Sequence, residues 1–256
     1  MDFCRRIKDG YEFDFFGRKI KIHNRSSNYL VRRSEKFEKT FQTFESMKRL
    51  HQTVFPKYKN KHNNDEIVIL ATGPTLSKYS PISSAVHIGV NSAIKFDRVI
   101  LDYFFIQDIM AYEKCRDSIV DSEIKKFFGI TGVKNIISDQ YLSNLKHERY
   151  YVDSAMFFSD FPYDLSASFL ADYSSVIFSA LQFALWTSPK KVYLVGCDCT
   201  EMGYFDKSNK NSESNLKNWM LGWQQFQKFA GHCYPKTEIC SIRPVGIKGL
   251  FEEVEN

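Results

Sequence analysis

Residues 67–71, IVILA, are five consecutive apolar residues, three of them β-branched. Asp65 and Glu66 precede them, and Thr72-Gly73-Pro74 follow. A run this short, polar at both ends, reads as a strand buried on both faces, the pattern of a parallel sheet. Gly73 permits a tight turn with the backbone open to a ligand. Pro74 suits the first turn of a helix, where its missing N–H costs nothing. A strand, a glycine turn and a helix start together make a seat for anionic groups, because free N–H groups of the first turn point at them. An ordinary strand-to-helix turn has the same sequence, so the neighbouring segments have to decide.

Strand-like runs recur at 86–90, 98–106, 125–130, 135–137, 191–196 and 238–242, and helical patterns lie at 110–118, 174–186 and 216–229. Strands alternating with helices predict an α/β domain with a mostly parallel sheet. In such sheets ligands bind beyond the carboxyl ends of the strands. Thr72-Gly73, Asn91, Gln107-Asp108 and Asp198-Cys199-Thr200 all fall at those ends. Each is an acceptable turn residue, but together they favour a binding site. The polar stretch 208–215 (SNKNSESN) is expected to be a mobile loop.

The N-terminal quarter differs in character. Residues 11–16 and 19–23 alternate around Gly17-Arg18 and predict a hairpin. Phe37, Phe41, Phe44, Met47, Leu50 and Val54 recur at helical spacing and predict an amphipathic helix over 34–55, with Ser34 as N-cap and Pro56 ending it. Residues 1–62 are therefore read as an appendage and 63–256 as the main domain. The formal net charge is +5, yet residues 1–62 carry +9 and the remainder −4. A basic face of this kind is a solvated surface or contacts an anionic membrane. The helix stripe is expected to dock on the main domain, with a homo-oligomer contact as its competing use. No nucleic-acid motif is present. No apolar run is long enough to span a membrane and no signal-peptide core is seen, so a cytoplasmic protein, peripheral at the inner face of the membrane, is expected. The six cysteines show no paired CxxC spacing, which points to reduced thiols and away from zinc.

These stretches, in this order, resemble the bacterial family-42 sialyltransferases and related surface-polysaccharide proteins with a glycine-turn motif. ATGPTL matches that motif, with Thr72 where the family usually has Asn. GVNSA matches its second strand, whose Asn binds the nucleotide sugar, at Asn91. DYFFIQD matches its third strand, with Gln107 at an amide position. YSSVIFSALQFALWTSPKKVYLVGCDCT is similar to its serine-bearing helix, strand and Gly-x-Asp turn, and EICSIRP to its last strand. The likeness runs over about 66–245. It implies a Rossmann-like, GT-A-variant domain, a CMP-sugar donor, a surface polysaccharide or lipid-linked glycan acceptor as in lipopolysaccharide or capsule biosynthesis, and transfer without a metal cofactor. Archaeal-type pterin pyrophosphokinases share the glycine turn and the helix-strand-GxD segment. Two departures stand out. The family's general-base His has no counterpart in 216–229, where the nearest is His232, and the Tyr after its Asp is replaced by Thr200, with Tyr204 close by.

Glycosyl transfer requires a held nucleotide, a neutralised leaving phosphate and a deprotonated acceptor hydroxyl. Thr72, Gly73 and Pro74 are the candidate phosphate or nucleotide seat. Asn91 and Gln107 offer paired donors and acceptors for a base or sugar. Ser174 and Ser175, with Thr200, are candidate ribose or phosphate ligands, and Tyr204 a donor to the leaving phosphate. Asp108, Asp198 and His232 are the candidate bases. No Asp-x-Asp stands at a strand end, so no metal clamp is evident. A Mg²⁺-dependent pyrophosphokinase would need clustered carboxylates. A non-catalytic nucleotide-binding protein of an assembly complex is the third reading.

Overall fold

The computed structural model describes residues 4–7, 10–15, 18–23, 28–131, 137–153, 160–206 and 213–255, with side chains from residue 38 onward, Ser214 excepted. The chain divides into two compact units, Met1–Ser46 and Met47–Asn256. The division falls inside a helix and not at the polar link near residue 62 that the sequence suggests.

In the smaller unit, β1 (Cys4–Ile7), β2 (Gly10–Phe15) and β3 (Arg18–His23) form an antiparallel sheet in that order. Phe13 opposite Ile20 fixes the register of the expected hairpin, whose Phe16 and Gly17 lie outside the described residues. Helix α1 (Asn28–Val54) starts earlier than its apolar stripe, so Ser34 lies inside it and does not cap it. Phe41 and Phe44 on this helix are exposed.

The larger unit begins with the last turns of α1. Met47, His51 and Val54 are fully or almost fully buried there, as are Phe55 and Tyr58 of the 3-10 turn that follows. Trp186 Nε1 donates to the Phe55 carbonyl at 2.8 Å, and the Asn60 and His62 amides donate to the Trp186 and Thr187 carbonyls. The polar link is thus sewn to the structure by backbone groups, which a composition-based reading cannot see. Neutral His51 is a further stitch: Nδ1 donates to the Leu165 and Ser168 carbonyls, and Nε2 accepts the Tyr151 N–H at 2.7 Å.

The remaining elements are β4 (Glu66–Leu70), β5 (Val86–Val90), β6 (Tyr103–Ile106), α2 (Ile109–Val120), β7 (Lys125–Ile130), α3 (Asp139–Leu142), β8 (His147–Asp153), β9 (Leu170–Ala171), α4 (Ile177–Trp186), β10 (Lys191–Val195), α5 (Glu213–Cys233), β11 (Glu238–Ile242) and β12 (Glu252–Val254). The nine strands β4–β12 form one sheet in the order β12-β11-β10-β4-β5-β6-β7-β8-β9, and every pairing is parallel. The mostly parallel, Rossmann-like α/β sheet predicted from the strand runs is present. Alternate residues enter different layers. Ile67, Ile69, Tyr103, Phe105 and Phe127 pack with α4 and α5, whereas Val68, Leu70, Phe104, Ile106 and Phe128 pack with α2. All ten residues of α4 are buried. Phe183 at its centre lies 5.0–5.2 Å from Tyr58, Tyr103, Phe105 and Phe127, so this part of the aromatic content serves packing.

Two sequence expectations change, and one strand is new. The strand expected from residue 98 starts at Tyr103, and the Asp102 carboxylate just before it accepts the His87 N–H at 2.9 Å. The stretch expected over 135–137 is not seen as a strand: 135–136 lie outside the described residues and Ile137 is buried without one. EEV at 252–254 adds an edge strand too short and polar to carry a pattern.

From β4 the chain steps outward strand by strand to β9. It then returns through α4 and lays β10 on the other side of β4. The winding direction reverses between β4 and β10, which makes the gap beyond their carboxyl ends the topological switch point, the place where such sheets take ligands.

Candidate functional site

A narrow slot of about 70 Å³ opens at this switch point. Thr72 and Gly73 after β4, Asn91 after β5, and Cys197, Asp198 and Cys199 after β10 line it. Ser175 and Ile177 at the start of α4 form one side, and Trp219 and Trp223 of α5 cover it.

The glycine turn works differently from its sequence reading. Gly73 has φ −67°, an ordinary value. Its need for no side chain comes from space: a Cβ would stand 2.5 Å from the Gly196 carbonyl and 2.6 Å from the Asp198 carboxylate. The Gly73 N–H donates to that same carbonyl at 2.8 Å, so the turn faces the neighbouring β10 loop. Pro74–Lys78 is a five-residue 3-10 turn, not an α-helix, and its leading amide is already engaged. The Thr75 N–H donates to Asp198 Oδ2 at 2.7 Å, and the Thr75 hydroxyl to Asp198 Oδ1 at 2.5 Å.

Asp198 is consequently a clamp between the β4 and β10 loops. Burial raises its pKa and the two Thr75 hydrogen bonds oppose that rise. With both oxygens occupied it is poorly placed to take a substrate proton. Cys199 adopts φ +46°, a left-handed conformation uncommon for a residue of its kind. Its Sγ accepts from Trp223 Nε1 at 3.0 Å, which ties this turn to α5. Burial pushes the Cys199 thiol up to about 12 and the Cys197 thiol well above its usual value, so neither is a thiolate at neutral pH.

Asn91 is at the centre of the arrangement. It ends β5 with φ +47°, which Asn tolerates better than most residues. Its Oδ1 is buried and has no hydrogen-bond partner. Native interiors rarely leave such an acceptor unmet. Asn91 also lines a second, wider cleft of about 450 Å³, and Tyr204 is the other residue shared by both. The far wall of this cleft is the first half of α2, with Asp108 at its base. Asp108 is the N-cap of α2: Oδ1 accepts the Ala111 N–H at 2.9 Å.

The slot and the cleft thus bring together Thr72, Gly73, Asn91, Asp108, Ser175, Asp198 and Tyr204. Other expected residues lie elsewhere. Gln107 is buried under α4, where Nε2 donates to the Ser179 hydroxyl at 2.8 Å. Pro74, Ser174 and Thr200 line neither space; the Ser174 carbonyl instead accepts Trp219 Nε1 at 3.0 Å. Ser174 and Ser175 precede α4 in a turn with Tyr173 and Ser174 in the left-handed region, not in its first turn. His232 is exposed in the last turn of α5 and lines neither space. At 1.5 Å per residue it stands roughly 13 Å along the helix from Trp223. Sequence reasoning missed Trp219 and Trp223, whose spacing is that of core residues, and Ser92 and Lys95, which follow the Asn91 signal directly.

Among the described residues, one group could surround a metal: Glu238, Cys240 and Glu252. It stands where β11 and β12 begin, at the sheet end opposite the clefts, and Glu238 is paired with Lys191 at 2.6 Å.

No family model matches the sequence, and no curated protein matches it. Among solved structures the chain is similar to the sialyltransferase CstII from Campylobacter jejuni, determined in complex with a substrate analogue, CMP-3FNeuAc. The identity is 12%, the TM-score 0.42, and the match covers 75% of this chain and 86% of that one.

Proposed function

We propose that this chain is a glycosyltransferase that takes a sugar from a nucleotide donor, with a CMP-sugar as the first candidate, and passes it to a bacterial surface polysaccharide or lipid-linked glycan. The observation that carries this reading is Asn91: a buried, unpartnered amide oxygen at the seam of two clefts, on the switch point of a parallel sheet. The order of sequence motifs that resembles the family-42 sialyltransferases supports the same reading.

In this proposal the nucleotide lies over the switch point, with Asn91 and the α4 start beneath it and Trp219 beside it. Tyr204, on the shared wall, donates to the leaving phosphate. Burial, then the Asp108 and Asp206 charges, raise the Tyr204 pKa, which keeps its proton available. Asp108 replaces the absent histidine as base. One of its oxygens caps α2, and the cleft brings the carboxylate to a hydroxyl placed beyond Asn91 and Tyr204.

No helix among the described residues is long and apolar enough to cross a membrane. A cytoplasmic enzyme with its basic N-terminal segment at an anionic membrane suits a lipid-linked acceptor. Each well-placed basic residue adds about 1 kcal/mol of salt-sensitive attraction. A thermal-shift panel of CMP, UDP, GDP and ADP tests the core reading. One nucleotide is expected to raise the melting temperature at millimolar concentration, and no shift with any of them defeats the reading. Binding without turnover on a broad acceptor set would instead favour a non-catalytic nucleotide-binding protein.

A further inference from the structure

The 3-10 turn after β5, Asn91–Lys95, sends three polar residues into the wide cleft: Asn91, Ser92 and Lys95. Ser92 is 7% exposed, and its hydroxyl has no partner. With Asn91 Oδ1 it makes two buried, unmet polar atoms on one wall of one cleft. Lys95 is in no ion pair among the described residues. The opposite wall carries Asp108 and Lys114, and Asp206 stands beside Tyr204.

Two lysines and two aspartates leave the lining neutral overall. Such a cleft does not concentrate polyanions by its field. It offers donors and acceptors side by side, which is what a polyhydroxyl ligand requires. Lys95 adds one cation that a single negative group on that ligand would meet. The volume of about 450 Å³ lies in the ordinary range for small-molecule sites, whereas the slot of about 70 Å³ does not.

We infer that the wide cleft is the acceptor subsite and that it selects a sugar bearing one anionic group, with Lys95 on that group and Ser92 on a neighbouring hydroxyl. The inference rests on the transferase reading, because Asp108 in the same cleft then faces the acceptor hydroxyl. Lys95 and Ser92 are specificity residues in this scheme.

Calorimetric titration of the full chain with glucuronate and glucose tests it. Glucuronate is expected to bind in the millimolar range, and glucose at least tenfold more weakly. Lys95→Met should weaken glucuronate tenfold or more, as loss of a charged hydrogen bond does, and leave glucose unchanged. Lys95→Arg should retain most of the glucuronate affinity, and Ser92→Ala should lower it severalfold. Lys95 is exposed, so the Met variant should melt as the parent does; if it does not fold, the Arg and Ala variants carry the test. Saturating nucleotide should leave glucuronate binding in place. Failure of glucuronate to bind, equal affinity in parent and Lys95→Met, or displacement by nucleotide alone each overturns the inference. The nucleotide thermal shift on the same samples keeps the two proposals apart. A protein that shifts with nucleotide but ignores glucuronate defeats only the acceptor inference. One that binds glucuronate through Lys95 but shifts with no nucleotide upholds the anionic-sugar subsite and defeats only the transferase reading.

Discussion

The switch-point slot and the wide cleft share Asn91 and Tyr204, yet they hold their polar groups in opposite states. In the slot, Asp198 is taken by Thr75, the Gly73 amide by Gly196, and the Cys199 sulfur by Trp223. In the wide cleft, Ser92 Oγ and Asn91 Oδ1 have no partner. A group that is already hydrogen-bonded contributes to stability, and one left unmet costs it. The slot is therefore in large part scaffold, and the unmet polar atoms of the two spaces stand at the seam and beyond it.

The strongest way to break this comparison is Asp108→Asn. Asn caps a helix about as well as Asp, so stability should change by no more than about 0.5 kcal/mol. If Asp108 is the base, turnover should fall by roughly 10²–10⁴. A variant that melts normally and retains full activity removes Asp108 from the chemistry.

Asp198→Ala should have the reverse profile. It removes two hydrogen bonds to a carboxylate and leaves the Thr75 groups unmatched, a loss of about 3 kcal/mol in denaturant unfolding. Ser92→Ala removes a buried hydroxyl that has no partner, so its stability should be unchanged or gain up to about 1 kcal/mol. Equal losses in the two variants would erase the distinction between scaffold and site.

Two buried groups of the scaffold also have a pH signature. Burial holds His51 neutral, lowering its pKa from 6.5 to about 4. That contribution is complete above pH 6.5 and is lost as pH falls towards 4. Asp172, which accepts the Ser174 N–H at 2.9 Å and shapes the turn into α4, is raised by burial from 3.8 to about 6. Its charge is a penalty at neutral pH, relieved as pH falls through 6. Each effect is worth about 3 kcal/mol. They oppose each other, so urea midpoints of the parent protein should be nearly level between pH 6 and 4. Asp172→Asn should be more stable than the parent at pH 7 and should then lose stability towards pH 4. A variant no more stable at pH 7 contradicts the buried-charge account.

Asn91→Ala tests the seam itself. It should weaken nucleotide binding by roughly 0.5–1.5 kcal/mol for each hydrogen bond lost and leave the fold intact. Unchanged affinity takes the seam out of the nucleotide site.

The central strands were legible because each is a short apolar run with polar ends. The place of Asn91 was legible for a related reason: it stands at such an end. Asp198 and Gln107 carried the same signal and turned out to be fastened elsewhere, one to Thr75 and the other to Ser179. Their partners lie 123 and 72 positions away in the chain, beyond the reach of any local pattern. Trp219 and Trp223 were hidden for a different reason. At helical spacing among Met220, Phe226 and Phe229 they have the same pattern as core residues, and only the position of α5 over the slot separates them.

The position of β4 has a consequence in time. This strand gains β5 as a neighbour soon after it emerges, but its other neighbour is β10, and the loops that close the slot are joined by a contact spanning 123 positions. Non-local pairings of this kind carry the largest closure entropy and form slowly. During synthesis β4 is left with one open edge until α4 and β10 have been made. The slot is thus one of the last features to assemble, and a ligand that needs it can recognise only a chain whose winding is complete.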